Sequence, residues 1–231
     1  MVPSAREGSE ASEARRALDR ARGLSDEGNY VEALHELDNL LDVDAANAEA
    51  LAAKGWALEN LGPEHLPDAR HAYASAQALQ PEDLRARAGL ANVVRRLGDH
   101  AEAVRMFERI DAAAEARMSA EPDLIELVGW CRYRLGRYED AASVFEAALA
   151  VDEDWVSVRF DLALTLLCLG RHDEASVSYT DGLARARGRR DRRSLVHVAL
   201  DDLREAIAER PPMADSQAVQ RIREALTSEI D

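Results

Sequence analysis

Apolar residues along this chain fall at three- and four-residue intervals, and single glycines interrupt them at long, regular distances. Leu84, Leu90, Val94 and Leu97 mark one stripe; beyond Gly98, Ala103, Val104, Phe107 and Ile110 mark a second. That spacing is the period of an amphipathic helix, so the segment predicts two helices joined at a glycine turn. Aromatics make up only 5% of the residues and prolines number seven. Strong helix formers therefore dominate, and a β-rich architecture is disfavoured.

The same hairpin recurs. A glycine is followed two residues on by an aromatic or His and five residues on by Ala in Gly28, Tyr30, Ala33; Gly98, His100, Ala103; Gly136, Tyr138, Ala141; and Gly170, His172, Ala175. A further copy, Gly62 to Ala69, carries two extra residues within Pro-Glu-His-Leu-Pro. Successive glycines lie 34, 36, 38 and 34 residues apart. Seven residues before each glycine stands a small residue: Ala21, Gly55, Ala91, Gly129 and Ala163. Nine residues past it, or past its shifted equivalent, stand Leu37, Tyr73, Phe107, Phe145 and Tyr179.

Each slot has a physical reading. The glycine ends the first helix where a left-handed residue is needed. The small residue before it and the Ala after it let the two helices approach closely. The large residue then fills space against the next hairpin. His100 and His172 take the turn slot of Tyr30 and Tyr138 and read as packing residues.

These slots resemble the tetratricopeptide repeat, a 34-residue helix–turn–helix unit. Five copies are expected at 14–47, 48–83, 84–117, 122–155 and 156–189, after a flexible segment 1–13. The pattern departs from the family in two respects. The large aromatic near the start of each first helix is replaced by Ala17, Leu51, Arg87, Ile125 and Arg159, and the closing proline survives only as Pro81. The resemblance implies an all-α, right-handed solenoid of helix–turn–helix repeats. Residues 190–231 are expected to cap it, because a terminal repeat otherwise leaves its stacking face in water. Ser194 to Glu209 carries Leu195, Val196, Ala199, Leu203, Ala206 and Ile207 on one helical face and is stopped by Pro211-Pro212; a last helix is expected at about Asp215 to Ile230.

Charge narrows the function. Lys plus Arg number 29 against 44 Asp plus Glu, a formal net charge of −15 that opposes phosphate backbones and anionic membranes. Two cysteines, Cys131 and Cys168, exclude a disulfide framework and read as buried thiols in a reducing compartment. No apolar leader stands at the N-terminus and no run approaches a membrane span, so a cytoplasmic protein is expected. Arginine outnumbers lysine 28 to one, a composition that reads as a GC-rich bacterial genome.

Catalytic templates are missing. The 12 glycines are scattered singly at turns rather than gathered into a phosphate loop, and no His-Glu-x-x-His occurs. His65 and His71 are too loosely spaced for zinc. Acidic runs such as Asp201-Asp202 and Asp152-Glu153-Asp154 read as helix-terminal or solvated charges. A noncatalytic protein without cofactor or metal is expected.

Function is then expected on the inner surface lined by first helices. Positions there carry Trp56, Glu59 and Asn60; Arg85, Asn92, Arg95 and Arg96; and Glu126, Trp130, Tyr133 and Arg134. Such residues suit an extended peptide, with Arg95 and Arg96 pairing an acidic side chain or C-terminal carboxylate, Asn92 bonding its backbone, and Trp56 and Trp130 packing its apolar groups. Family members that bind chaperone tails use Lys and Asn in slots held here by Leu18, Arg22 and Ala53, so a chaperone-tail client is not expected.

Two further surfaces stand out. Phe160, Leu164, Leu167 and Cys168 form an apolar patch on the fifth copy that something should cover: the C-terminal helices, a second copy in a homodimer, or the client. Arg185 to Arg193 holds six arginines and one aspartate, a local +5 that invites contact with nucleic acid or an acidic partner. Its other reading is a solvated junction, and the net charge opposes nucleic acid.

Overall fold

The computed structural model describes residues 5–210, 213 and 216–230, with side chains from residue 12 onward. Every regular element among the described residues is helical. The chain divides into two compact units, Met1–Ala103 and Val104–Asp231.

The N-terminal unit holds α1 (Ala5–Asp26), α2 (Tyr30–Val43), α3 (Ala48–Leu61), a 3-10 turn (Pro63–His65), α4 (Leu66–Leu79) and α5 (Leu84–Arg96). The division falls within α6 (His100–Arg117). In the C-terminal unit follow α7 (Leu124–Arg134), α8 (Tyr138–Val151), α9 (Val156–Cys168), α10 (His172–Ala186), α11 (Arg192–Glu209) and α12 (Gln217–Ser228). Helices adjacent in sequence pack as hairpins: α1 with α2, α3 with α4, α7 with α8 and α9 with α10. Apart from the first half of α1, each lies inside one expected repeat. The first helix begins at Ala5, within the segment 1–13 read as flexible; residues 1–4, Pro211-Pro212 and Asp215 lie outside the described residues.

Four turns share one backbone solution. Gly28, Gly98, Gly136 and Gly170 take φ of 77°, 97°, 74° and 76°, where a side chain is strained. In each, the residue after the glycine donates its amide to a carbonyl five residues back: Asn29 to Leu24, Asp99 to Val94, Arg137 to Arg132 and Arg171 to Leu166, at 2.8–3.1 Å. These bonds satisfy carbonyls that the helix end would otherwise leave bare. Starts are capped less uniformly. Asp83 accepts from the amides of Arg85 and Ala86, and Asn47 from that of Ala50, satisfying donors that precede the first intrahelical bond.

The alanines five past the glycine, and Ala69 at the slot shifted by two residues past Gly62, are buried to within 1% exposure, Ala33, Ala69, Ala103, Ala141 and Ala175 alike. The small slot has a sharper role than close helix approach. A methyl on Gly129 would lie 2.5 Å from the Phe145 ring, and one on Gly55 2.8 Å from that of Tyr73. The aromatic of the second helix thus lies directly on the glycine of the first. Tyr73 also reaches the next repeat, where a methyl on Gly89 would meet it at 2.3 Å. The turn histidines differ from the packing expectation: His100 is exposed and His172 half-buried, its Nδ1 3.3 Å from Ser216 Oγ.

The C-terminal helices complete the second unit. Val196, Ala199, Leu200 and Leu203 of α11 and Val219, Ile222 and Leu226 of α12 share one core with α8, α9 and α10. Against α9 packs α11, while α12 packs against α10 and α11.

Candidate functional site

In the N-terminal unit the first helices α1, α3 and α5 present a pocket of about 330 Å³. Half-buried Trp56 stands in it, its ring edge-on to Tyr30 with centroids 5.7 Å apart. Ala52, Ala53 and Ala86 add apolar lining, and exposed Arg85 contributes from the first turn of α5. Charges line its rim: Arg22 pairs with Glu49 at 3.0 Å, beside Asp26 and Asp83. Of the residues expected to bind a client, Trp56 and Arg85 line this pocket.

Asn92, Arg95 and Arg96, expected beside them, serve a different structure. Glu59, 8% exposed, accepts the Tyr73 hydroxyl at 3.2 Å and Asn92 Nδ2 at 2.6 Å. Arg96 Nη1 donates to the Glu59 carbonyl at 3.1 Å and lies 3.6 Å from its carboxylate. Arg95 Nε donates to Asn92 Oδ1 at 3.2 Å. Burial and the adjacent Glu59 carboxylate push the Tyr73 phenol well above its usual range. A carboxylate out of water needs such donors, and here it ties the second repeat to the third. Asn92 is itself buried with both ends of its amide engaged, so in this structure it offers no group to a client backbone.

In the C-terminal unit Trp130 is half-buried and meets Phe107 edge-on at 5.4 Å. The Arg134 guanidinium lies over Trp130 and Tyr133, 5.1 and 5.4 Å from their ring centroids. Its side chain is only 4% exposed. Asp202 accepts from it at 2.7 Å and Glu205 at 3.4 Å, both from α11. Burial works against this charge, but Asp202, Tyr133 and Glu205 outweigh it and hold the guanidinium protonated beyond its ordinary range. Asp202 is thus a half-buried partner of Arg134 and not the solvated charge expected of Asp201-Asp202.

The apolar patch of the fifth repeat is also covered. Phe160, Leu164 and Leu167 are 4%, 3% and 2% exposed, in the core that α11 joins. Of the three expected covers, the chain's own helix lies there, so these residues offer no surface to a second copy in this conformation. Cys131 is buried and Cys168 half-buried, and burial raises both thiols.

Acids engage at least half of the arginine run. Arg185 pairs with Asp181, Asp154 and Glu153, Arg189 with Asp191, and Arg192 with Glu229. Arg187, Arg190 and Arg193 are exposed. No described helix is long and apolar enough to cross a membrane.

Sequence reasoning missed two partnerships, Glu59 with Asn92 and Arg134 with Asp202. Glu59 and Asn92 both stood on the inner-face pattern, three residues before Gly62 and six before Gly98, but nothing local marks two polar residues as each other's partners.

Comparison with known proteins places this geometry. The tetratricopeptide repeat family model matches residues 64–117 and 129–188. A thermophilic tetratricopeptide repeat protein of Thermus thermophilus, TTC0263, superposes with a TM-score of 0.61 at 23% identity, over 81% of this chain and 98% of that one. MamA from Desulfovibrio magneticus RS-1 gives 0.45 at 18% identity, over 76% and 96%. YrrB, a tetratricopeptide repeat protein described as having an unusual peptide-binding site, gives 0.41 at 19%, over 81% and 97%. No curated protein matches the sequence. Glycine-turned hairpins, the family match in both units and the superposition on TTC0263 agree, and the chain is a tetratricopeptide repeat protein, an all-α helical-repeat fold of the kind that serves as a protein-interaction scaffold.

Proposed function

We propose that the protein is a noncatalytic adaptor whose client peptide docks on the inner face of the N-terminal unit, over Trp56 and Arg85. The pocket of about 330 Å³ that these two residues line carries the reading. A half-buried indole with an alanine floor suits one apolar client side chain. Arg85, at the exposed start of α5, suits a neighbouring carboxylate on the same peptide. Arg96, engaged with Glu59, holds the third repeat against the second, and Arg95 braces Asn92 within α5; both act on the client only by fixing that frame.

Selection from a displayed peptide library on the full-length protein tests this. Enriched peptides are expected to carry an apolar residue near an acidic one. Binding should weaken at least about tenfold on Trp56→Ala and on Arg85→Glu, the size of a typical buried aromatic anchor. Selected peptides that bind both variants as tightly as the wild type would overturn the reading.

A further inference from the structure

A helix that only closes the end of a repeat array needs an apolar stripe and little else. α11 has that stripe, in Val196, Ala199, Leu200 and Leu203, packed against α9 in one core with Phe160, Leu164 and Leu167. It also carries Asp202 and Glu205, about one turn apart, onto a single buried guanidinium. At its end Arg210 lies over the Tyr138 ring, 4.4 Å from the centroid, and donates to the Cys168 carbonyl at 3.4 Å. Buried ion pairs stabilise little relative to apolar replacements of similar volume, so a charged seam here sets register and choice of partner more than strength.

The fit is also incomplete. Arg134 Nε is buried without an acceptor. Docking of α11 brings Asp202 toward Asp161 on α9, whose carboxyl is pushed well above the usual range by burial, by Glu126 and by Asp202 itself. One donor is left over, and Asp202 disfavours a charge on Asp161. A ligand of the same general chemistry but better arranged would satisfy this surface more fully.

We propose that the inner face of α7 and α9 is a receptor groove for an acidic amphipathic helix, that α11 is its built-in occupant, and that a client helix with two carboxylates one turn apart beside an apolar stripe displaces α11 to bind. Only residues 187–191 join α10 to α11, so the occupant is tethered at high effective concentration. The groove is therefore masked. A client's apparent affinity falls by the fraction of time α11 is away, about 100-fold if it is docked 99% of the time. This groove lies wholly in the C-terminal unit and does not depend on the Trp56 pocket.

A fluorescent peptide with the sequence of residues 192–210 tests the proposal against the full chain by anisotropy. Asp202→Asn with Glu205→Gln weakens the built-in helix without touching the receptor. The double variant should bind the peptide at least tenfold more tightly than the wild type, at the mass of a single chain. Adding Arg134→Met should cancel that gain. Equal affinity for wild type and double variant, or indifference to Arg134→Met, would overturn the proposal. A doubled mass would overturn it in favour of exchange of α11 between two copies. Hydrogen exchange on the wild type gives a measurement independent of the variants: amides of α11 should exchange at least tenfold faster than those of α9, and equal protection would contradict a displaceable helix.

Discussion

The Arg134 guanidinium on α7 and the Asp202 carboxylate on α11 lie 2.7 Å apart although 68 residues separate them in the chain. The arginine was expected to face a client; its acidic partner comes instead from the protein's own α11. This pair commits the Arg134 guanidinium to a partner inside the C-terminal unit.

Removing Arg134 should expose that dependence. Arg134→Ala leaves Asp202 and Glu205 without their shared cation, the former 18% exposed. A loss of about 2–4 kcal/mol is expected, as for breaking one side of a buried pair. Urea unfolding measures the total. Hydrogen exchange should locate the damage in α11, with the N-terminal unit unaffected.

Two glycines should respond to the same substitution with opposite sign. Gly129→Ala drives a methyl into the Phe145 ring, and the overpacking should cost about 1–3 kcal/mol. Gly23, inside α1, has nothing within 4 Å of an added methyl, so Gly23→Ala should gain about 0.5–1 kcal/mol from helix propensity alone. A shared sign in the shift of the urea midpoint would refute this reading of the small slot.

Asp161 gives the C-terminal unit a pH dependence. Its carboxyl is raised in the folded protein by burial and by Glu126 and Asp202, so the folded state binds a proton that the unfolded state gives up near the ordinary carboxylate pKa. The contribution is fully present below that ordinary value and is lost as pH rises toward the raised one. Asp161→Asn should therefore stabilise the protein relative to wild type, and more at about pH 8 than at about pH 5. A difference that stays flat or shrinks with pH would show that Asp161 is not the group responsible.

The two thiols should separate by accessibility. Cys131 is fully buried and its thiol raised, first by burial, so alkylation should require unfolding. Cys168, half-buried, should react slowly in the native protein at about pH 8 and faster as pH rises, later than a free thiol does. Mass spectrometry should find one label per chain under native conditions and two in denaturing urea.

The hairpins were legible because their signals are local. A positive φ at a helix end calls for glycine at that residue, and the aromatic that fills each hairpin stands a fixed number of residues on. The apolar run Phe160, Leu164 and Leu167 announced that a cover was needed, and the amphipathic stripe of residues 194–209 supplied a candidate. Charge partnerships were not legible. Asn92 looked like a hydrogen-bonding group for a client because nothing within its own helix shows that Glu59, 33 residues earlier, engages its amide. Asp202 looked solvated because an acidic residue in a helix usually is. Long-range pairing of polar groups depends on which faces meet, and the repeat pattern fixes that only coarsely.

The cover that α11 places over the fifth repeat gives the stretch from Arg192 onward an unequal weight. A frameshift or premature stop just before Arg192 would remove no helix of the five repeats, yet it would strip α9 of the helix packed against it and leave Arg134 charged beside bare indole and phenol rings. Such a product would be a cohesive stump rather than a shorter adaptor, prone to clump with itself and marked for cellular proteolysis.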